Sequence, residues 1–272
     1  MSRSNPTSAG APTTRQGRRR LELEQRREQR RAAREQAQSP SVLRSPMALF
    51  TGAAILVGAL IVGFMLITRP APPSVADLTP PGSEIPFGAQ ANGRALGDPQ
   101  AKVTVDIWSD FQCPACMNFA TEIEPLTISS YVVPGKVRLV YHDAAFQGQK
   151  AHTSYDESVE PAAAARCAAD QGLFWQMHNW LFANWNGENQ GAFTADRLRA
   201  IATGAGLDLA RYDSCMAVGD KQSAARSETA EALSANINQT PTIIVNGTTI
   251  VGSPRDFATF AVVLDQALAA AQ

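Results

Sequence analysis

Histidine and cysteine are both scarce in this chain, three and four residues in 272, and lysine is missing from its first 46 residues. A zinc centre needs clustered Cys and His ligands. His142, His152 and His178 show no ligand spacing, and Cys167 and Cys215 stand far from any partner in sequence, so no metal is expected. Charged residues are also few, at 18% against 44% hydrophobic, which excludes wholesale disorder. No internal repeat occurs. The formal net charge of −1 gives no general argument for a nucleic-acid partner, and none is expected.

That average conceals a segregation. Residues 1–46 carry 11 arginines against 4 glutamates, a net +7, whereas the chain from Pro70 onward is net −9. Between them Met47–Thr68 holds no charge over 22 residues, about 33 Å of helix, enough to cross a hydrocarbon layer. The arginines on its N-terminal side place that end in the cytoplasm and the rest outside. A cleaved signal peptide is the competing reading, with Ser74-Val75-Ala76 as its cleavage site, but its apolar region normally is shorter and follows a brief basic start. The chain therefore divides into a basic cytoplasmic tail, 1–46, a transmembrane helix, 47–68, a Pro-rich linker, 69–96, and a domain, 97–272. The tail lacks an apolar face to bury and reads as solvated, with RNA or anionic lipid as alternative contacts.

Within the domain Val103–Ser109 alternates as a strand, Pro114–Tyr131 reads as a helix and Lys136–Tyr141 as a second strand. Helical segments fill about 150–237: Pro161–Phe182, Thr194–Ala205, Leu207–Val218 and Lys221–Ile237. Thr242–Val245 and Thr248–Val251 flank Asn246-Gly247, a strong hairpin signal. Asp256–Ala271 closes as an amphipathic helix with Ser253 as its candidate cap. This order gives an α/β core with a helical insertion. The aromatics Phe174, Trp175, Trp180, Phe182 and Trp185 sit at helical spacing that favours packing over a peptide groove.

Cys113-Pro114-Ala115-Cys116 follows a strand and opens a helix. Unpaired helix N–H groups and the dipole there favour a thiolate on the first cysteine, and the second, one turn later, is placed to resolve a mixed disulfide. Half a zinc site and a plain bridge are the competing readings. Setting that pair aside leaves Cys167 and Cys215, as a structural staple, a second relay or two buried thiols.

Gly97-Asp98-Pro99-Gln100-Ala101, then VTVDIWSDFQCPAC, a helical insertion, and Thr240-Pro241-Thr242-Ile243-Ile244-Val245-Asn246-Gly247 resemble the DsbA-type thiol:disulfide oxidoreductases. The resemblance runs from about Gly97 to the C-terminus and implies a thioredoxin-like fold with an inserted helical subdomain. It implies Cys113 as nucleophile, Cys116 as resolving thiol, Pro241 as a cis-proline beside them, and Asp106 as an acid beneath the site that relays protons. Thr240, Pro114 and Ala115 become substrate contacts. The sequence departs from the best-known members at Ala115, where they carry histidine. The implied activity is oxidation of cysteines in reduced, translocated proteins, without a cofactor, with a quinone-coupled membrane partner as reoxidant. A reductase or isomerase is the alternative within the enzyme class, and a holdase or adaptor for unfolded chains the alternative outside it.

Overall fold

The computed structural model describes residues 15–37, 46–68, 71–82, 89–148, 155–250 and 252–271. It divides into two units, 1–70 and 71–272. The first holds two helices, α1 (Arg15–Ala37) and α2 (Pro46–Ile67). Among the described residues no helix is long and apolar enough to cross a membrane. The unbroken run of described side chains in α2 covers 50–65, whereas its sequence stays uncharged over all 22 residues. The large apolar side chains described in this helix are exposed, Phe50 at 77% and Ile67 at 85%.

The second unit is built on a six-stranded sheet of β1 (Ala91–Asn92), β2 (Ala95–Leu96), β3 (Val103–Ser109), β4 (Val137–Asp143), β5 (Thr242–Val245) and β6 (Thr248–Thr249). The order is β1-β2-β4-β3-β5-β6, with β3 and β4 parallel and the remaining pairs antiparallel. Strict alternation drives the two central strands: Val103, Val105 and Ile107 face the core beside Val137, Leu139 and Tyr141, and none of these exceeds 1% exposure. Asn246 and Gly247 turn β5 into β6 with φ of 47° and 80°, the doubly positive pair that a two-residue hairpin needs. Val251, the expected end of that strand, lies outside the described residues.

The sheet begins earlier than the sequence suggests. β1 and β2 lie inside the expected linker 69–96, where two-residue strands leave no alternation to read. Even the Pro-rich stretch before them is partly packed. A short helical turn, Val75–Asp77, lies against the insertion, Leu78 is buried, and Asn184 holds both backbone groups of Thr79 at 2.9 Å.

After β3 the chain runs into a helical stretch over 114–132, α3 (Pro114–Asn118), a wide π turn (Phe119–Ile123), α4 (Glu124–Thr127) and a second π turn (Ile128–Val132). Pro125 has no N–H to donate back along the helix, which accounts for the widened turn before it. The insertion between β4 and β5 comprises α5 (Val159–Ala169), α6 (Phe174–Ala183), α7 (Ala195–Gly204), α8 (Leu209–Val218) and α9 (Asp220–Ser234). Its expected first helix is broken at Gly172, whose φ of 73° ends α5. α10 (Phe257–Ala270) closes the chain, capped by Asp256, whose carboxylate accepts the Thr259 N–H at 2.7 Å, and not by Ser253.

Candidate active site

Strand register brings the site together. Thr242 of β5 pairs with Trp108 of β3, so the Thr240–Pro241 dipeptide meets the turn that leaves β3 and enters α3. That peptide bond is cis, and the Cys113 Sγ lies 3.3 Å from the Thr240 carbonyl oxygen. Cys113 is the N-cap of α3 with Pro114 at its first position, and its carbonyl accepts the Met117 N–H at 3.0 Å. Cys113 and Cys116 are both reduced. Pro114 and Ala115 are solvent-exposed between them, whereas Cys113 is only 4% exposed.

The two thiols are electrostatically unlike. The hydrogen bond from Cys116, aided against burial by the Thr240 hydroxyl and the N–H groups of Cys116 and Ala115, lowers the Cys113 pKa to about 6. Burial, reinforced by the Cys113 charge, pushes the Cys116 thiol well above the ordinary range. One sulfur is thus poised to leave as an anion while its neighbour holds a proton.

Asp106 is not the acid at these thiols. Strand alternation turns it to the half-buried face of β3, where its carboxylate meets His142 Nε2 at 3.0 Å. The acid that senses Cys113 is Asp110, in the turn itself. Burial first, and then the Cys113 charge, raise it to about 7 against its hydrogen bonds from Gln147, Gln112 and Ser158. The sequence reading missed it, although a polar Asp-Phe-Gln between a buried strand and a reactive cysteine is a signal of buried turn chemistry.

Gln112 is the other residue missed. It is fully buried, donates from Nε2 to Glu157 Oε2 at 3.3 Å, and accepts at Oε1 from the Asn189 N–H. Its carbonyl takes the Trp185 indole N–H at 3.0 Å. The insertion therefore grips the turn that delivers Cys113. Trp185 belongs to the expected aromatic group, of which Phe174, Trp175 and Phe182 are core residues packed around His178.

Away from this site, Cys167 of α5 and Cys215 of α8 form a disulfide with their Cα atoms 5.9 Å apart. His142 sits in an ion-pair network and His178 in the aromatic core, while His152 lies outside the described residues. Among the described residues no three His, Cys, Asp or Glu side chains are grouped to hold a metal.

A family model described as thioredoxin matches residues 89–266. The chain is 24% identical over 162 residues to a protein of Bacillus cereus named probable disulfide bond formation protein D, covering 58% of this chain and 72% of that one. It is 33% identical over 154 residues to Na(+)/H(+) antiporter NhaA 3 of Salinispora tropica, and spans only 21% of that protein's length. Oxidised BdbD from Bacillus subtilis superposes with a TM-score of 0.57 at 22% identity, covering 71% of this chain and 98% of BdbD. Oxidised DsbA from Mycobacterium tuberculosis does so with a TM-score of 0.51 at 27% identity, covering 68% of this chain and 99% of that one.

Proposed function

The chain belongs to the thioredoxin family, in its DsbA-type branch, and from that premise we propose that it is a membrane-tethered extracytoplasmic thiol:disulfide oxidoreductase that donates disulfides to translocated proteins. The observation that carries this reading is the split between the two thiols, with Cys113 lowered to about 6 and Cys116 held protonated by burial.

A substrate thiolate attacks the Cys113 sulfur of the oxidised pair. The Cys113–Cys116 bond breaks, a mixed disulfide forms on Cys113, and Cys116 departs and takes a proton. The substrate's second thiolate then attacks its own sulfur in that bond and expels Cys113. A thiolate of low pKa leaves readily and stabilises the reduced enzyme, which makes the oxidised form the stronger oxidant. Thr240, at the cis bond, and the exposed Pro114 and Ala115 frame the sulfur where an extended substrate strand would pair. Two electrons remain on the enzyme after each turnover, so a membrane acceptor, quinone-coupled in our reading, must collect them.

The tether rests on α2, whose 22 uncharged residues and exposed apolar side chains suit lipid, and on the arginines before it, which orient the domain outward. The Cys167–Cys215 disulfide supports an oxidising compartment. The test is oxidation of a reduced, unfolded protein by the oxidised enzyme, with the pair titrated against glutathione. Loss of activity in Cys113→Ser supports the oxidoreductase; retained activity supports a holdase, and a strongly reducing potential supports a reductase.

A further inference from the structure

A buried carboxyl in the active-site turn has no part in the exchange described above. Asp110 is 1% exposed, and its carboxyl oxygens accept from Gln112 N at 2.8 Å, Gln147 N at 2.9 Å and Ser158 Oγ at 3.0 Å. All three donors are neutral. Its own carbonyl accepts the Cys113 N–H at 3.0 Å, so the carboxyl is fixed in the turn that delivers the reactive sulfur. The ionisable groups around it are Cys113 and Cys116 on its own turn and helix, Tyr141 from β4, and Asp156 and Glu157 beside Ser158. None of these is a cation.

We propose that Asp110 takes up the second proton of the reaction, acting through its charge on Cys113, so that substrate oxidation releases no proton to water; this deepens the proposed function and rests on it. In the oxidised enzyme Cys113 is uncharged, so burial alone opposes the three donors that favour the Asp110 carboxylate. Reduction places a thiolate beside it, and two uncompensated charges in a buried turn repel until one is neutralised. The balance closes. The substrate's two thiols give up two electrons and two protons, its S–S bond forms, and the Cys113–Cys116 bond breaks. One proton goes to Cys116, the other to Asp110, and Cys113 remains a thiolate. The single negative charge has moved from carboxylate to sulfur. Values of about 7 for Asp110 and about 6 for Cys113 in the reduced enzyme agree with that exchange.

The experiment is the equilibrium of the full-length chain, in detergent, with glutathione buffers across neutral pH. Two glutathione molecules release two protons; an enzyme that takes both leaves the equilibrium constant level with pH, and one that takes a single proton makes it rise about tenfold per pH unit. For the wild type we expect a level stretch from about pH 6, turning upward near pH 7. In Asp110→Asn the rise begins at the lower limit of that stretch, and in Ser158→Ala, which strips one donor from the carboxylate, it begins above pH 7. An upturn at the same pH in wild type and both variants overturns the proposal, and Ser158→Ala alone decides it should Asp110→Asn not fold. Absence of any reversible equilibrium with glutathione sinks the oxidoreductase reading itself, and this inference with it.

Discussion

Cys113 and Cys116 differ by three positions and by the direction in which their protons are held. Carboxyamidomethylation of reduced wild type should accelerate up to about pH 6 and then level off, whereas the same thiol in unfolded chain should keep accelerating to roughly pH 8.5. Mass mapping that finds Cys116 modified first would reverse the assigned roles. Cys116→Ala protein captured from cells should carry substrates as mixed disulfides that a reductant releases, and Cys113→Ala should carry far fewer. The CxxC pair was legible because a strand end followed by Cys-Pro needs only local reading. Asp106 and Asp110 show where such reading fails. The acid was sought on the strand, but side-chain alternation turns Asp106 outward, and the turn residue Asp110 receives its partners Gln147 and Ser158 from 37 and 48 positions away.

Among the elements, one carboxylate joins four of them. Glu228 of α9 accepts from Arg94 of the β1–β2 turn, Arg166 of α5, His142 of β4 and the Asp143 N–H. Burial opposes its charge, but the hydrogen bonds from His142 and Arg94 win and lower its pKa to about 2. A carboxyl lowered on folding stabilises the native state fully above its unfolded pKa, near 4.5, and loses that contribution as pH falls toward 2. Glu228→Gln should therefore lower the unfolding free energy by about 3 kcal/mol at neutral pH and flatten its dependence below pH 4.5, both read from urea denaturation. An unchanged acid limb would mean that other carboxylates govern it. The Cys167–Cys215 bridge joins α5 to α8 within the same insertion; replacing both cysteines with alanine should cost ~2–4 kcal/mol in the same measurement while exchange at Cys113 persists. The bridge was legible once the CxxC pair was set aside, as the structural staple expected of Cys167 and Cys215, whereas the carboxylate cluster was not. Glu228 looks like one more polar residue on an amphipathic helix, and its four partners are assembled only by the sheet.

For the whole molecule, the long alternating strands, the Asn-Gly hairpin and the helical bulk of the insertion were readable because each announces itself within about ten residues. The start of the domain was not, since β1 and β2 are two residues each and lie in Gly-rich chain whose only reason to be extended is the edge of β4. Protease added to intact spheroplasts should remove the 71–272 unit and leave the basic tail protected; a soluble mature form beginning near Asp77 would establish cleavage instead. The packing of Leu78 and the grip of Asn184 on Thr79 change what anchoring means. A spacer of 69–96 is 28 residues, roughly 95 Å of contour, whereas the stretch between Thr68 and Val75 is 6 residues, roughly 20 Å. The local concentration of a domain around the foot of a flexible leash falls roughly as the −3/2 power of the leash length, so the shorter one raises it on the order of tenfold. Under the tether proposed above, so short a leash would hold the enzyme where chains emerge at the bilayer surface, and the proposed reoxidant would meet it there repeatedly instead of by chance.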